Sequence, residues 1–177
     1  MSTAHAIYRH RTAAGKRIFL SVLTEHDANA NYAGWLNDPV ITHWLETRSA
    51  TIPKLKKYIR EKQRKPDAIL YGVFLIKNGQ HIGNIKLEPI DYKKRDVVIG
   101  MLIGEKRLWG RGIATEVIKL ATNYAFAMLK MRTVTLGVIP ENKVALHIYQ
   151  KCGFYIVRTD KNVLNHDGVL YDRCVAS

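Results

Sequence analysis

The stretch Lys106-Arg107-Leu108-Trp109-Gly110-Arg111-Gly112-Ile113-Ala114-Thr115 carries residue types suited to capturing an anion. Gly110 and Gly112 permit backbone conformations and close approaches that a Cβ would block. A helix expected to begin near Ile113 turns unpaired N–H groups and the positive end of its dipole toward the same loop. Arg107 and Arg111 add charge, so a pyrophosphate suits the cradle. The stretch has neither the Gly-Lys-Ser/Thr ending of a Walker loop nor the third glycine of a dinucleotide fingerprint.

A second group with chemical capacity is the phenol of Tyr149, which can serve as a proton donor or pack with Leu146, Ile148 and Phe154. Glu88, Asp96, Glu105 and His81 are titratable but read as surface residues, and none is assigned as a base. Cys152 and Cys174 lack metal-ligand spacing and read as reduced thiols, so no metal site is expected.

Several elements must position these groups. Arg17 to Leu23 reads as a strand, followed by a helix to about Leu36 that starts at Thr24 with Asp27 three residues on. Asn37-Asp38-Pro39 breaks it, and Val40 to Leu45 is a short apolar segment. Thr51 caps a helix through Lys65 with a stripe of Ile52, Leu55 and Ile59. Trp35 and Trp44 are candidates for the wall of an acceptor pocket, the alternative for both being the core.

Ile69 to Lys77 and Gln80 to Ile90 read as a hairpin turning at Asn78-Gly79. After a charged turn, Val97 to Gly104 is nearly all apolar, as expected of a strand covered on both faces. A long amphipathic helix follows from Ile113, then a strand over Arg132 to Ile139 and a helix over Lys143 to Cys152 closed by Gly153. Phe154 to Arg158 and Val169 to Val175 read as the last strands, joined by a hairpin containing Asp167-Gly168. This order implies an α+β fold with a mostly antiparallel sheet.

The 177-residue length fits one domain over residues 16–177, with Met1 to Gly15 expected to be mobile in part. No apolar run reaches membrane-spanning length and no signal-peptide core is present, which leads us to expect a cytoplasmic protein without membrane contact. The net charge of +13 points to anionic company. Its dispersal disfavours direct nucleic-acid binding.

Arg107-x-x-Gly110-x-Gly112 resembles the Arg/Gln-x-x-Gly-x-Gly/Ala signature of GNAT N-acetyltransferases. Asn142-x-x-Ala145-x-x-x-Tyr149-x-x-x-Gly153-Phe154 is similar to the family's second signature. The chain looks most like the RimJ/RimL-type branch. Its Trp35 to Pro39 and Gly79 to Ile85 stretches are similar to those of bacterial acetyltransferases acting on sugar nucleotides.

The resemblance implies a GNAT-like mixed central sheet flanked by helices and acetyl-CoA as cosubstrate. By the same resemblance, a splay at Met101, Leu102 and Ile103 holds the pantetheine arm. Arg107, Leu108, Trp109, Gly110, Arg111, Gly112, Ile113 and Ala114 take the pyrophosphate, Asn142 bonds the pantetheine arm, and Tyr149 is the general acid. Related enzymes often carry Glu or Asp on the central strand where this chain has Val98. The implied function is acetyl transfer to a primary amine, with an anionic small molecule such as a nucleotide-linked aminosugar first. The alternatives are a protein N-terminus or a catalytically weak CoA-binding sensor, and a homodimer is compatible with either.

Overall fold

The apolar, β-branched runs of the sequence assemble into one eight-stranded sheet, β1 to β8, in the order β1-β2-β3-β4-β5-β6-β8-β7. The structure is a computed structural model that describes residues 10–166 and 169–177. The strands are β1 Ala13–Ala14, β2 Ile18–Val22, β3 Ile69–Leu75, β4 His81–Asp91, β5 Asp96–Ile103, β6 Thr133–Val138, β7 Ile156–His166 and β8 Val169–Ala176. The helices are α1 Ala30–Asn37, α2 Pro39–Thr42, α3 Ile52–Arg64, α4 Ile113–Ala127 and α5 Lys143–Lys151. Every strand pair is antiparallel except β5 with β6, which the α4 crossover connects. The mixed, mostly antiparallel α+β architecture read from the sequence is the one observed.

The hairpin at Asn78-Gly79 forms because Gly79 takes a φ of 66° and the Asn78 side chain accepts from the Gln80 N–H at 3.2 Å. Two apolar clusters cover the two faces of the sheet. One joins Ile85, Leu87, Val97 and Ile99 to Val117, Ile118, Ala121 and Ala125 of α4. The other joins Phe19, Leu70 and Phe74 to Tyr32, Trp35 and Leu36 of α1 and to Leu55 and Ile59 of α3.

Several expectations need correcting. The sheet starts before residue 16: Ala13 pairs with Leu20, and the Thr12 N–H donates to the Leu20 carbonyl at 2.9 Å. The helix expected from Thr24 to Leu36 is two elements, a 3-10 turn over Glu25–Asp27 and then α1. The Thr24 N–H donates to Asp27 Oδ2 at 2.7 Å and closes the turn, while Asn29 starts α1 afresh by accepting from the Tyr32 N–H at 3.1 Å. Ile52 is exposed at the head of α3, leaving Leu55 and Ile59 as its buried residues. The last two strands are longer than expected, and the turn expected at Asp167-Gly168 lies outside the described residues.

The strand expected to be covered on both faces is covered on one. Val97 and Ile99 are buried, whereas Val98 is half-buried and Gly100 exposed. The parallel pairing of β5 and β6 stops at Ile99 opposite Leu136. Beyond it, Gly100 to Ile103 pair only with β4, and β6 runs on against β8 through Gly137 and Val138. The two strands splay apart there, which leaves the β6 side of β5 without a strand partner.

Candidate active site

A cavity of about 610 Å³ opens at this splay, on the α1 and α3 side of the sheet. Asn84, Lys86 and Glu88 of β4 and Val98, Gly100, Met101 and Leu102 of β5 form its floor. Tyr32, Trp44, Leu55 and Tyr58 stand on the helix side, and Asn142, Tyr149 and Arg173 lie across the gap. The sequence-predicted residues Met101, Leu102, Asn142, Tyr149 and Trp44 therefore meet around one space. Trp35 does not join them. It is buried beneath Tyr32 and His81, and a Cβ on Gly104 would overlap its indole, so the alternative reading as core is the correct one. Ile103 is buried too, and its carbonyl already accepts the Trp109 Nε1–H at 2.9 Å.

Arg107 to Ala114 lie past the end of β5, next to the cavity in sequence but outside its lining. Gly110 and Gly112 take φ of 71° and 74°. A Cβ at Gly110 would meet nothing within 4 Å, and one at Gly112 only the Arg17 guanidinium at 3.6 Å. Within the chain, glycine is thus required for the left-handed backbone, in agreement with the conformational part of the reading from sequence. Gly112 caps α4 without any side-chain hydrogen bond, so the first-turn amides of Ile113, Ala114 and Thr115 have no intrahelical acceptor.

The loop is held rigidly. Arg17 donates from Nη1 to the Arg111 carbonyl at 2.7 Å and pairs through Nε with Glu116 at 2.7 Å. Burial works to raise the Glu116 carboxyl, but the Arg17 amide and guanidinium hold it below the usual range. Lys106 pairs with Asp38 at 2.6 Å, which ties the loop to the head of α2, and its hydrogen bond lowers the Asp38 carboxyl. Arg107 is not left to a ligand alone, since it pairs with Glu105 at 2.6 Å and donates to Gln80 Oε1 at 2.9 Å.

Tyr149 is brought to the cavity by α5, which Asn142 initiates by accepting from the Ala145 N–H at 3.1 Å. Phe154 packs edge-on against its ring at 6.2 Å. Burial, with a smaller contribution from Cys152, pushes the Tyr149 phenol up to about 12, so it stays protonated at neutral pH. Cys152 packs over the Thr115 carbonyl at 3.8 Å, and burial raises its thiol, as suits a packing residue.

Glu88 and His81 are not the surface residues expected. The Glu88 side chain is 11% exposed and is held by Lys62, by Lys65 at 3.0 Å and by Lys86 at 3.5 Å. Burial alone would raise its carboxyl, but the lysines outweigh it and bring it down to about 2. A group that acidic is a poor base at neutral pH. His81 sits among the rings of Phe74, Tyr32 and Trp35. Among the described residues, no cluster of three or more His, Cys, Asp or Glu is placed to hold a metal ion.

The sequence reading missed Asn84, Lys86 and Arg173 as cavity residues. A signal for the first two was present: in Asn84-Ile85-Lys86-Leu87-Glu88 polar and apolar residues alternate strictly, which assigns the polar set to one face of β4. Arg173 carried no such signal, because only the β6 to β8 pairing brings it to the cavity.

A mixed sheet that splits at its single parallel pair, followed by a helix begun by a left-handed glycine, is the arrangement that the two motifs suggested. The chain belongs to the GNAT acetyltransferase family: the family model for the acetyltransferase (GNAT) domain matches residues 17–155. It is 28% identical over 117 residues to the probable N-acetyltransferase YjcK of Bacillus subtilis, covering 66% of this chain and 64% of that protein. The chain thus spans just under two thirds of that relative's length. It is 27% identical to the spermidine N(1)-acetyltransferase of Vibrio cholerae, over 67% of each. A solved Vibrio cholerae spermidine N-acetyltransferase, in complex with CoA and spermine, shares the fold with a TM-score of 0.82 at 22% identity, over 90% of this chain and 93% of that one. Among the described residues no helix is long and apolar enough to cross a membrane.

Proposed function

We propose that the protein is an acetyl-CoA-dependent N-acetyltransferase acting on a primary amine. The observation that carries this reading is the unsatisfied amide cluster at the α4 N-terminus next to the β5–β6 splay, with a protonated phenol across the gap. Both features fit CoA. Three consecutive free amides and a helix dipole suit a pyrophosphate, and unpaired strand edge at Met101 and Leu102 suits the amide-bearing pantetheine arm. Arg111 adds charge at the cradle, and Asn142 keeps its Nδ2 donor available while Oδ1 caps α5.

Acetyl-CoA, when bound, supplies an acetyl group activated as a thioester. The chain's own part is to orient that group and hold a proton at Tyr149 Oη for the sulfur that departs. Val98 on the cavity floor has no basic atom and Glu88 is tied up by lysines, which leaves Glu46 as the other carboxylate on the lining. The amine therefore arrives neutral or loses its proton to Glu46 or to solvent.

The acceptor we favour is an anionic amine, a nucleotide-linked aminosugar ahead of a protein N-terminus, the latter following from the RimJ/RimL resemblance. Lys54, Lys86 and Arg173 line the cavity with Glu46 and Glu88; Lys86 pairs with Glu88 at 3.5 Å and Arg173 with Asp160 at 3.0 Å, so Lys54 is the cation that supports an anionic acceptor most directly. The names of the spermidine N(1)-acetyltransferase relatives favour a second reading, a polyamine acceptor. The test is CoA thiol release with a panel of aminosugar nucleotides, N-terminal peptides and spermidine, with mass detection of product. Transfer fastest to spermidine would favour the second reading, and acetyl-CoA binding without any transfer would favour a sensor module.

A further inference from the structure

The cavity floor contains a donor that the fold has oriented and left unused. Asn84 is 5% exposed and lines the cavity. Its Oδ1 lies 2.8 Å from His81 Nε2, and the same nitrogen lies 2.9 Å from the Gly83 carbonyl. A carbonyl can only accept, so His81 Nε2 must carry a hydrogen. The atom of Asn84 that shares it must accept as well, which fixes the amide with Oδ1 toward His81 and Nδ2 turned away. Asn84 Nδ2 is buried and has no hydrogen-bond partner. The Nε of Arg173, across the same cavity, is likewise a buried donor without a partner.

We propose that Asn84 is an acceptor-binding residue whose Nδ2 donates to an oxygen of the amine substrate, with Arg173 Nε serving a second oxygen, and that the enzyme selects amines bearing oxygen over simple polyamines. This rests on the acetyltransferase reading and narrows its acceptor class. Two donors demand lone pairs. Protonated polyamine nitrogens offer none, and the neutral nitrogen that attacks needs its only lone pair for the new bond. An amino sugar, amino alcohol or amino acid offers hydroxyl, carboxylate or phosphate oxygens beside its amine. A buried donor that the right substrate satisfies and the wrong one leaves bare is a strong basis for discrimination.

The test is steady-state kinetics of the wild type, Asn84→Ala and Asn84→Asp with two acceptors, glucosamine 6-phosphate and spermidine. Calorimetric titration of acetyl-CoA and a thermal melt accompany each variant. In the wild type, kcat/KM should favour glucosamine 6-phosphate. Asn84→Ala should lower that value roughly tenfold to a hundredfold with acetyl-CoA affinity and spermidine turnover unchanged. Asn84→Asp keeps an oxygen toward His81 but replaces the donor with an acceptor, so it should tilt preference toward spermidine even if the alanine variant folds poorly. Equal losses on both acceptors, lost acetyl-CoA affinity in a folded variant, or wild-type preference for spermidine would each overturn the assignment of Asn84 while leaving the acetyltransferase reading intact. Absence of acetyl-CoA binding by the wild type would overturn that reading and this one together.

Discussion

Helices α4 and α5 follow β5 and β6, the two strands that splay, and they begin in opposite ways. Asn142 satisfies the first turn of α5 with its own side chain, as Asn29, Asp38 and Thr51 do for α1, α2 and α3. Gly112 offers α4 nothing. A helix start left bare costs stability unless water or a ligand replaces the cap, and the proposed function gives that place to the pyrophosphate of CoA. The same contrast runs along the cavity floor, where Glu88 is saturated by three lysines while Asn84, four residues earlier on β4, keeps an unused donor. Groups that complete themselves build the scaffold, and the groups left incomplete are the ones proposed to meet cosubstrate and acceptor.

The sharpest way to break this comparison is to give α4 the polar start its neighbours have. Gly112→Asp places a carboxylate among the first-turn amides, and acetyl-CoA affinity should fall at least about a hundredfold. The left-handed backbone adds a folding cost of about 1–2 kcal/mol. Calorimetric titration of a variant shown to be folded by circular dichroism decides it, and unchanged affinity would mean the amides are not the cradle.

Tyr149→Phe removes the protonated phenol and should lower kcat roughly tenfold to a thousandfold with acetyl-CoA affinity preserved. Because the phenol is pushed up to about 12, wild-type kcat should show no loss from its ionisation as pH rises through 10. A titration in kcat near the ordinary tyrosine value, absent from Tyr149→Phe, would contradict the buried setting.

Glu88 tests the saturated side. Its folded carboxyl lies near 2 against an ordinary 4.5, so its contribution to stability is present above about 4.5 and lost as pH falls toward 2. Glu88→Gln should destabilise the protein at neutral pH by about 1–2 kcal/mol, a figure discounted for the partly exposed lysines. Urea unfolding should show the gap from wild type closing below pH 4.

The smallest effect is expected at α5, where Asn142→Ala should cost about 1 kcal/mol and lower Tm by about 2–4 °C. Asn142→Asp should restore the cap, since Oδ1 alone makes it. If Asn142→Asp also restores acetyl-CoA affinity in full, Nδ2 has no role in binding and α5 is only scaffold.

The sequence by itself determined the periodic elements, the hairpin at Asn78-Gly79, the glycines that turn the loop before α4, and the two motifs that carry the family resemblance. All of these depend on residues within one turn or one strand of each other, where backbone preference and side-chain period act directly. It misjudged groups whose surroundings come from elsewhere in the chain. Trp35 is core because Gly104 and His81 pack on it. Glu88 is buried because α3 lays Lys62 and Lys65 over β4. Arg173 reaches the cavity because β8 completes the sheet beside β6. Tertiary structure alone decided where β5 and β6 part, since the end of a strand pairing depends on what each strand meets on its other side. The cavity, its basic lining and the unused donor of Asn84 all follow from that separation.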